Sequence, residues 1–243
     1  MSARVALGRM HHDGLIVLPA PRNGNGNGRH ARHRDPDPQL VLPIDAAPIG
    51  GTLADLGPLQ LTVVATAEES ARYNALIAAH HYLGYSPLAG AQLRYLVHTD
   101  VVGTVAALGF AAAAWKCAPR DTHIGWDPAT RAQRLHLLVG NARFLIRPHV
   151  RVPHLASTIL ARAARRLPAD WRAHYGYTPL LLETFVQTGR FTAASYRAAN
   201  WIHVGHTQGR GKLDRHHRHA LPVKDVYLYP LHQNYRRILT AHD

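Results

Sequence analysis

The segment between residues 144 and 167 constrains the fold of this 243-residue chain more than any other stretch. It begins with an apolar triplet that predicts a buried strand, turns between Pro148 and Pro153, and continues as an amphipathic helix. The helix is predicted from apolar side chains at the i, i+3, i+4 spacing of one packed face, namely Ile159, Leu160, Ala163, Ala164 and Leu167. Ser157 and Thr158 are expected to cap its first turn. Such a unit directs the backbone N–H groups of the turn towards one point, a geometry that binds phosphates.

The rest of the hydrophobic pattern predicts further strands and helices in the order β–α–β–β–β–α. Strands are expected at residues 59–65, 92–98, 101–112, 180–186 and 223–229, and a capping box at residues 66–69 starts the first helix. Residues 114–140 are an expected insertion in which Asp127 and Pro128 begin a helix. Residues 168–179 are expected to form a linker, and residues 235–240 a short basic helix.

Composition divides the chain into three expected regions. Residues 1–57, with an Asn-Gly repeat at 23–28, are predicted to be a disordered basic tail and linker, residues 58–234 the folded domain, and residues 235–243 a C-terminal tail. The net charge of +13 favours polyanionic partners. Cys117 is the single cysteine, which excludes an internal disulfide and predicts a buried thiol. No run reaches the length of a membrane span, so the expectation is a cytoplasmic protein without a membrane partner.

Two sequence motifs resemble the GNAT acyltransferases. The first is Pro148-x-x-Arg151-x-x-His154-x-Ala156, which is similar to the acyl-CoA turn of that family, with His154 where the family has glycine. The second runs from Tyr196 to Trp201 and resembles the family's tyrosine-bearing helix, with Asn200 at the left-handed position after it. The resemblance implies an α+β, three-layer fold with a mixed, mostly antiparallel sheet and flanking helices.

The same resemblance implies a site. Its cofactor residues would be Arg151, His154, Ala156 and Ser157, with acyl-CoA or an aminoacyl-tRNA as donor. Tyr196 would be the general acid that protonates the leaving group. Glu183 interrupts a near-continuous apolar strand and is the expected base.

Longer phrases resemble the DruA family. Among them are LGFAAAAW at 108–115, RVPHLAS at 151–157, LLLETFV at 180–186 and YRAANWIHVGHTQGRGKLDR at 196–215, and the resemblance covers residues 60–232. It implies a role in phage defence, as in the Druantia system, or in transposon biology. Nucleic acid is then an expected partner, together with a defence-system helicase or other mobile-element proteins.

Basic residues in two places are the candidate phosphate contacts. They are Arg162, Arg165 and Arg166 on the central helix, and Arg210, Lys212 and Arg215 in a glycine-rich loop. The alternative hypothesis is a GNAT-type acyltransferase or an aminoacyl-tRNA-dependent transferase. A nuclease is less favoured, because the chain has only 15 acidic residues to supply the carboxylates of a two-metal site. His217 and His219 lack a neighbouring carboxylate or cysteine, so no metal site is predicted there.

Overall fold

The computed structural model describes residues 11–17, 47–209 and 221–241 of the chain. Two units are distinguished, Met1–Asp35 and Pro36–Asp243. In the first, residues 11–17 form one turn, in which the ring of His11 contacts the carbonyl of Ile16 at 3.1 Å. All elements named below belong to the second unit.

Seven strands of the described chain form a single sheet, and helices cover both of its faces. In chain order the elements are β1 (Gln60–Val63), α1 (Ala67–His80), β2 (Gln92–Thr99), β3 (Gly103–Ala112), α2 (Ala118–Ile124), α3 (Pro128–Arg134), β4 (Leu138–Ile146), α4 (Leu155–Tyr175), β5 (Leu181–Gln187), α5 (Ala194–Ala198), β6 (Ile202–His206), β7 (Lys224–Pro230) and α6 (Tyr235–Leu239). The sheet order is β1-β2-β3-β4-β5-β7-β6. Every neighbouring pair is antiparallel except β4 and β5. The predicted mixed, mostly antiparallel sheet with flanking helices is therefore confirmed.

Strands β4 and β5 separate soon after they meet, and this divergence places the candidate site. They pair only where residues 138–140 lie beside residues 181–183. Beyond Gly140, β4 continues along β3 through a bulge, since Phe110 faces Asn141 and Gly109 faces Arg143, which leaves Ala142 as an extra residue. Strand β5 instead follows β7. A gap therefore opens in the middle of the sheet.

The two sides of the sheet have separate cores. Side chains such as Leu108, Leu182 and Tyr227 pack with the apolar face of α4. Their immediate strand neighbours point the other way, as alternation along a strand requires, and pack with α1 or with α2 and α6. We call the side covered by α4 the front face and the opposite side the back face.

The central helix differs from its prediction at both ends. The residue that precedes it is His154, in the left-handed region (φ 63), and no side chain caps the first turn. Ser157 donates to the carbonyl of His154, so the predicted capping by Ser157 and Thr158 is wrong. The predicted linker at 168–179 is also wrong, because α4 continues through Pro168 to Tyr175. A proline inside a helix costs about 3 kcal/mol, and burial of Leu167 and Trp171 offsets it.

The folded unit extends beyond the predicted boundaries at 57 and 235. Ile49 forms a parallel bridge with Val150, and Leu56 is 1% exposed within the front core. At the other end, Tyr235 and Leu239 of α6 pack into the back core. The boundary predictions missed these segments because each contributes only a few apolar residues between polar ones.

Several local predictions are confirmed. Thr66 accepts from the amide of Glu69 at 3.1 Å, and Glu69 accepts from the amide of Thr66 at 2.9 Å, which completes the capping box. Asp127 caps α3 as expected. Cys117 is buried, and burial raises the pKa of its thiol to about 11. The insertion also contains α2, which was not predicted, and its last three residues, 138–140, already belong to β4.

No helix of the described chain is both long enough and apolar enough to cross a lipid bilayer.

Candidate ligand-binding site

A cavity of about 750 Å³ lies in the gap between β4 and β5. Its walls are the last residues of α1 and the turn after it, the diverging halves of both strands, and the segment that leads into α5. The polar and basic side chains among them are those of His80, His81, Tyr82, Asn141, Arg143, Thr184, Thr192, Ser195, Tyr196 and Lys224. Phe144, Phe185 and Phe191 add aromatic surface. The volume falls in the range of small-molecule sites.

A hydrogen-bonded network fixes Tyr196 in the cavity wall. Its hydroxyl donates to the side-chain oxygen of Asn141 at 2.7 Å, and Thr184 donates to the backbone carbonyl of Asn141 at 3.1 Å. Asn141 is held in turn, because its amide nitrogen donates to the carbonyls of Gly109 and Arg143. Burial raises the pKa of Tyr196 to about 12, so the hydroxyl stays protonated at neutral pH.

Helix α5 delivers Tyr196 to this position. The chain leaves the helix through Asn200, whose φ of 62 is the left-handed conformation that the sequence predicted there. That reversal packs the ring of Trp201 against the ring of Tyr196, with centroids 5.1 Å apart. The ring of Tyr227 lies on another side of Tyr196, at 6.3 Å. The aromatic contacts leave the hydroxyl directed at Asn141.

The charged groups around the cavity are basic. None of its lining residues, all within the described part of the chain, is an aspartate or a glutamate. Burial and the nearby Arg143 guanidinium lower the pKa of His81 to about 4, so its imidazole is neutral at pH 7. Arg143 donates to Ser86 at 2.7 Å and is thereby held in place. Such a cavity favours an anionic or hydrogen-bond-accepting ligand.

Glu183 lies on the opposite face of the sheet from Tyr196. It is fully buried, with one carboxylate oxygen 2.8 Å from Arg120 and the other accepting from the amide of Ala114 at 2.7 Å. Burial raises the pKa of this carboxyl, and the Arg120 guanidinium acts against that rise. Because both oxygens are engaged and none faces the cavity, the expectation that Glu183 is a base beside Tyr196 is wrong. Its contacts are those of a core ion pair.

The predicted cofactor turn does not line the cavity. Arg151, Pro153 and His154 are exposed, while Ala156 and Ser157 are half-buried at the start of α4. The amide of Arg151 already donates to the carbonyl of Ile49 at 2.8 Å. His154 occupies a left-handed position where glycine would let a pyrophosphate approach the backbone. The engaged amide and the left-handed histidine do not fit a bound coenzyme A pyrophosphate.

The predicted phosphate contacts on α4 have different environments. Arg162 donates to the carbonyl of Leu59 at 2.9 Å, and Arg166 donates to the carbonyl of Leu61 and to Asp170. Both therefore attach the edge strand β1 to the helix. Arg165 is exposed and forms no ion pair within the described residues. Arg210, Lys212 and Arg215, like His217 and His219, lie outside the described residues.

Sequence reasoning found Tyr196 and missed the rest of the cavity. His80, His81, Asn141, Arg143 and Thr184 belong to separate segments with no shared motif. The sequence offered two separate features, a helix that carries Tyr196 and a strand whose apolar run ends at Asn141. These features predict neither the bulge in β4 nor the divergence of β4 from β5, which together bring the cavity segments close to one another.

Comparison with known families decides which group of proteins this chain belongs to. The sequence model of the family described as Druantia protein DruA matches residues 9–219, most of the chain. The chain belongs to the DruA family. No curated protein is significantly similar to this DruA-family chain in sequence.

Solved structures similar to the DruA-family chain include N-acetyltransferases. A mutant form of the spermidine/spermine N-acetyltransferase SpeG from Vibrio cholerae has 10% identity and a TM-score of 0.46, covering 74% of this chain and 99% of that one. A second SpeG variant from Vibrio cholerae has 11% identity and a TM-score of 0.47, covering 73% and 95%. The ribosomal-protein-S18-alanine N-acetyltransferase from Escherichia coli has 9% identity and a TM-score of 0.43, covering 72% and 94%.

Proposed function

We propose that this DruA-family chain acts in phage defence or mobile-element biology by engaging nucleic acid through its basic surface. The observation that carries the proposal is a row of exposed arginines along the outer side of α4, Arg162, Arg165, Arg166 and Arg172. The row runs from Arg162 to Arg172, ten helical steps of 1.5 Å each, or about 15 Å. Asp170 is the one acidic residue of α4, and Arg166 and Tyr95 already bind it. A defence-system helicase or another mobile-element protein is the proposed co-acting partner.

Electrostatics determines how such a surface behaves. Each arginine that contacts a phosphate releases a counterion, so affinity falls with salt in proportion to the number of contacts. Arg162 and Arg166 are shared with β1, whereas Arg165 and Arg172 have no ion pair within the described chain. We therefore expect that Arg165 and Arg172 can be replaced with a loss of phosphate affinity and without loosening β1.

The test is fluorescence anisotropy with labelled duplex DNA, single-stranded DNA and RNA over a range of salt. The double variant Arg165→Ala/Arg172→Ala should weaken binding and make the slope of log K against log salt shallower by about two. Arg72→Ala is the control, because Arg72 is an exposed arginine of α1 on the back face. The proposal would be rejected if none of the three nucleic acids bound, or if their affinity did not depend on salt.

The cavity supports a second candidate, a transferase that uses an aminoacyl-tRNA. The supporting observation is a tyrosine hydroxyl held by Asn141 in the wall of a basic cavity between two diverging strands. In such a reaction an acceptor amine would attack the ester carbonyl of the aminoacyl-tRNA, and the bond from that carbonyl to the ribose oxygen would break. Tyr196 would donate its proton to the departing ribose oxygen and regain one from the attacking amine. An aminoacyl-tRNA is preferred over acyl-CoA as donor, because the turn at 151–157 does not fit a pyrophosphate while the molecule is strongly basic.

Calorimetry and transfer assays separate this candidate from the first. The wild-type chain should release heat with charged tRNA and little with acetyl-CoA. Tyr196→Phe should keep tRNA binding and lose transfer of the aminoacyl group, whereas Tyr177→Phe, a half-buried tyrosine outside the cavity lining, should keep both. Equal transfer by wild type and Tyr196→Phe would exclude Tyr196 as the acid, and no binding of either donor would exclude the candidate.

A further inference from the structure

Three potential metal ligands converge at the edge of the sheet, and one of them, Asp225, directly follows the cavity residue Lys224. His203 and His206 belong to β6, and Asp225 belongs to β7. One carboxylate oxygen of Asp225 lies 2.6 Å from Nδ1 of His206 and 3.3 Å from Nε2 of His203. All three ligand atoms lie within 4.8 Å of one another. Two imidazoles and a carboxylate therefore face a single point.

A bulge in β6 creates this convergence. Residues three apart in a regular strand point to opposite faces. Here His203 pairs with Tyr227 in the ladder and His206 pairs with Asp225, so Val204 is an extra residue in β6. Because of this extra residue, the side chains of both histidines point to the front face of the sheet. Gly205 makes the bulge with a φ of 131. A Cβ at this glycine would lie 3.1 Å from Pro119, which a larger residue would have to displace.

Backbone pairing holds the ligands on both sides. His206 and Asp225 are direct partners in the ladder, and beyond them the amide of Thr207 donates to the carbonyl of Lys224 at 2.8 Å. The amide of Lys224 donates back to the Thr207 hydroxyl at 2.9 Å. The strand positions that carry the ligands are therefore fixed before any ligand arrives, and only side-chain rotation is needed to close the site.

We propose that His203, His206 and Asp225 bind one divalent transition-metal ion, with Zn²⁺ as the probe of the site. Imidazole nitrogen and carboxylate oxygen are the ligands that Zn²⁺ takes from proteins. Bonds of about 2.0–2.1 Å in a tetrahedron place ligand atoms about 3.3 Å apart. The separation of His203 and Asp225 is already 3.3 Å, whereas the 2.6 Å between His206 and Asp225 would have to lengthen by side-chain rotation. The side chains of His203 and His206 are 41% and 58% exposed, so solvent reaches the remaining coordination position.

The ring of Tyr227 lies between the proposed metal site and Tyr196 in the cavity wall. The ring of Tyr227 lies 5.1 Å from the ring of His203 and 6.3 Å from the ring of Tyr196. A bound ion that fixes the orientation of His203 would therefore also fix the aromatic contact behind Tyr196. This places the metal site next to the candidate cavity, although it does not depend on the function proposed for that cavity.

The test is zinc titration of the metal-free full-length chain, with the number of bound ions and a competing chelator as readouts. The double variant His203→Asn/His206→Asn should bind one fewer Zn²⁺ per chain than the wild type. His136→Asn/His174→Asn removes two other exposed imidazoles and should match the wild type. Because the chain has 19 histidines, the difference between these two variants, and not the total binding, measures the site.

Asp225→Asn supplies a second, milder variant that keeps the hydrogen-bonding shape of the carboxylate. We expect its affinity for the ion to fall by more than about tenfold, since even outer-shell changes cost that much. Zn²⁺ should raise the melting temperature of the wild type more than that of Asp225→Asn. Co²⁺ should show the visible absorption of four-coordinate cobalt only with an intact triad. Equal stoichiometry in both double variants, or equal affinity in Asp225→Asn and wild type, would overturn the proposal.

Discussion

Glu183 is a single residue whose role changes once its surroundings are known. Its carboxylate and the guanidinium of Arg120 are both fully buried, and Arg120 also contacts Asp121 at 2.8 Å and the carbonyl of Ala114 at 2.7 Å. Asp121 accepts from the indole of Trp126 at 2.9 Å. The network joins α2 to β5, so removal of one charge affects the packing of the whole insertion.

Glu183→Gln is therefore expected to lower the free energy of unfolding by about 3 kcal/mol, because it leaves the Arg120 charge buried with less compensation. Urea denaturation monitored by tryptophan fluorescence measures the change. Glu68→Gln is the matched control, since Glu68 pairs with Arg72 in solvent and its loss should change stability by less than about 0.5 kcal/mol. A similar small effect for both variants would contradict the structural role of Glu183.

His81 gives a residue-scale prediction for pH. Its pKa is about 4 in the folded chain, below the ordinary 6.5, because of burial first and the Arg143 charge second. Well above pH 6.5 it is neutral in both states and contributes nothing to the pH dependence of stability. As the pH falls from 6.5 towards 4, the unfolded chain takes up a proton that the folded chain does not, so stability is lost. His81→Asn should therefore show a shallower loss between pH 7 and about pH 5.

The difference in slope should correspond to no more than about one proton per chain, since other histidines remain. Urea titrations of wild type and variant at each pH measure it. His174→Asn, which changes an exposed imidazole at the end of α4, should follow the wild-type curve. Parallel curves for wild type and His81→Asn would show that His81 does not titrate in this way.

At the scale of elements, α4 is attached to the short edge strand β1 through its arginines. Strand β1 has four residues and one neighbour, so few ladder bonds hold it. Arg162 and Arg166 satisfy carbonyls just before and within this strand. The same helix buries its apolar side in the front core. One helix thus stabilises the sheet edge and presents arginines to solvent.

Arg166→Ala should increase the hydrogen-exchange rate of the β1 amides and lower the free energy of unfolding by about 1.5–3 kcal/mol, the range for a hydrogen bond to a charged group. Mass spectrometry of exchanged peptides reports the change for each segment. Arg165→Ala removes a neighbouring arginine that forms no ion pair within the described part of the chain, and it should leave exchange in β1 unchanged. If the β1 amides exchanged at the same rate in both variants, the stability of β1 would not depend on Arg166.

At the scale of the whole molecule, the segment before β1 belongs to the folded unit. Ile49 and Val150 form a bridge, with the amide of Ile49 donating to the carbonyl of His149 at 2.7 Å. Leu56 enters the front core together with Leu61 and side chains of α4. The chain from residue 47 therefore closes over the turn that precedes α4.

Leu56→Ala in the full-length chain should cost about 2–5 kcal/mol, because it leaves a cavity in the core. Leu221→Ala is the same substitution at a position that is 52% exposed and should have little effect. Thermal unfolding followed by circular dichroism compares the two. If Leu56→Ala and Leu221→Ala had the same melting temperature, the folded unit would begin after residue 57, as the sequence predicted.

The sequence by itself determined the features that depend on neighbours along the chain. The capping box of Thr66 and Glu69, the cap at Asp127, the left-handed turn at Asn200 and the DruA family phrases are all local. The mostly antiparallel sheet also followed from residues read together with their family resemblance. Tyr196 was found because its motif is contiguous.

Only the tertiary structure decided which side chains meet. Glu183 and Tyr196 face opposite sides of the sheet, the amide of Arg151 is taken by Ile49, and β4 leaves β5 after Gly140. Residues as distant as Asn141 and Tyr196, or as His203 and Asp225, come together through strand register and two bulges. Register and bulges shift a side chain from one face to the other by a single residue, and their position depends on packing between segments that are far apart in the chain.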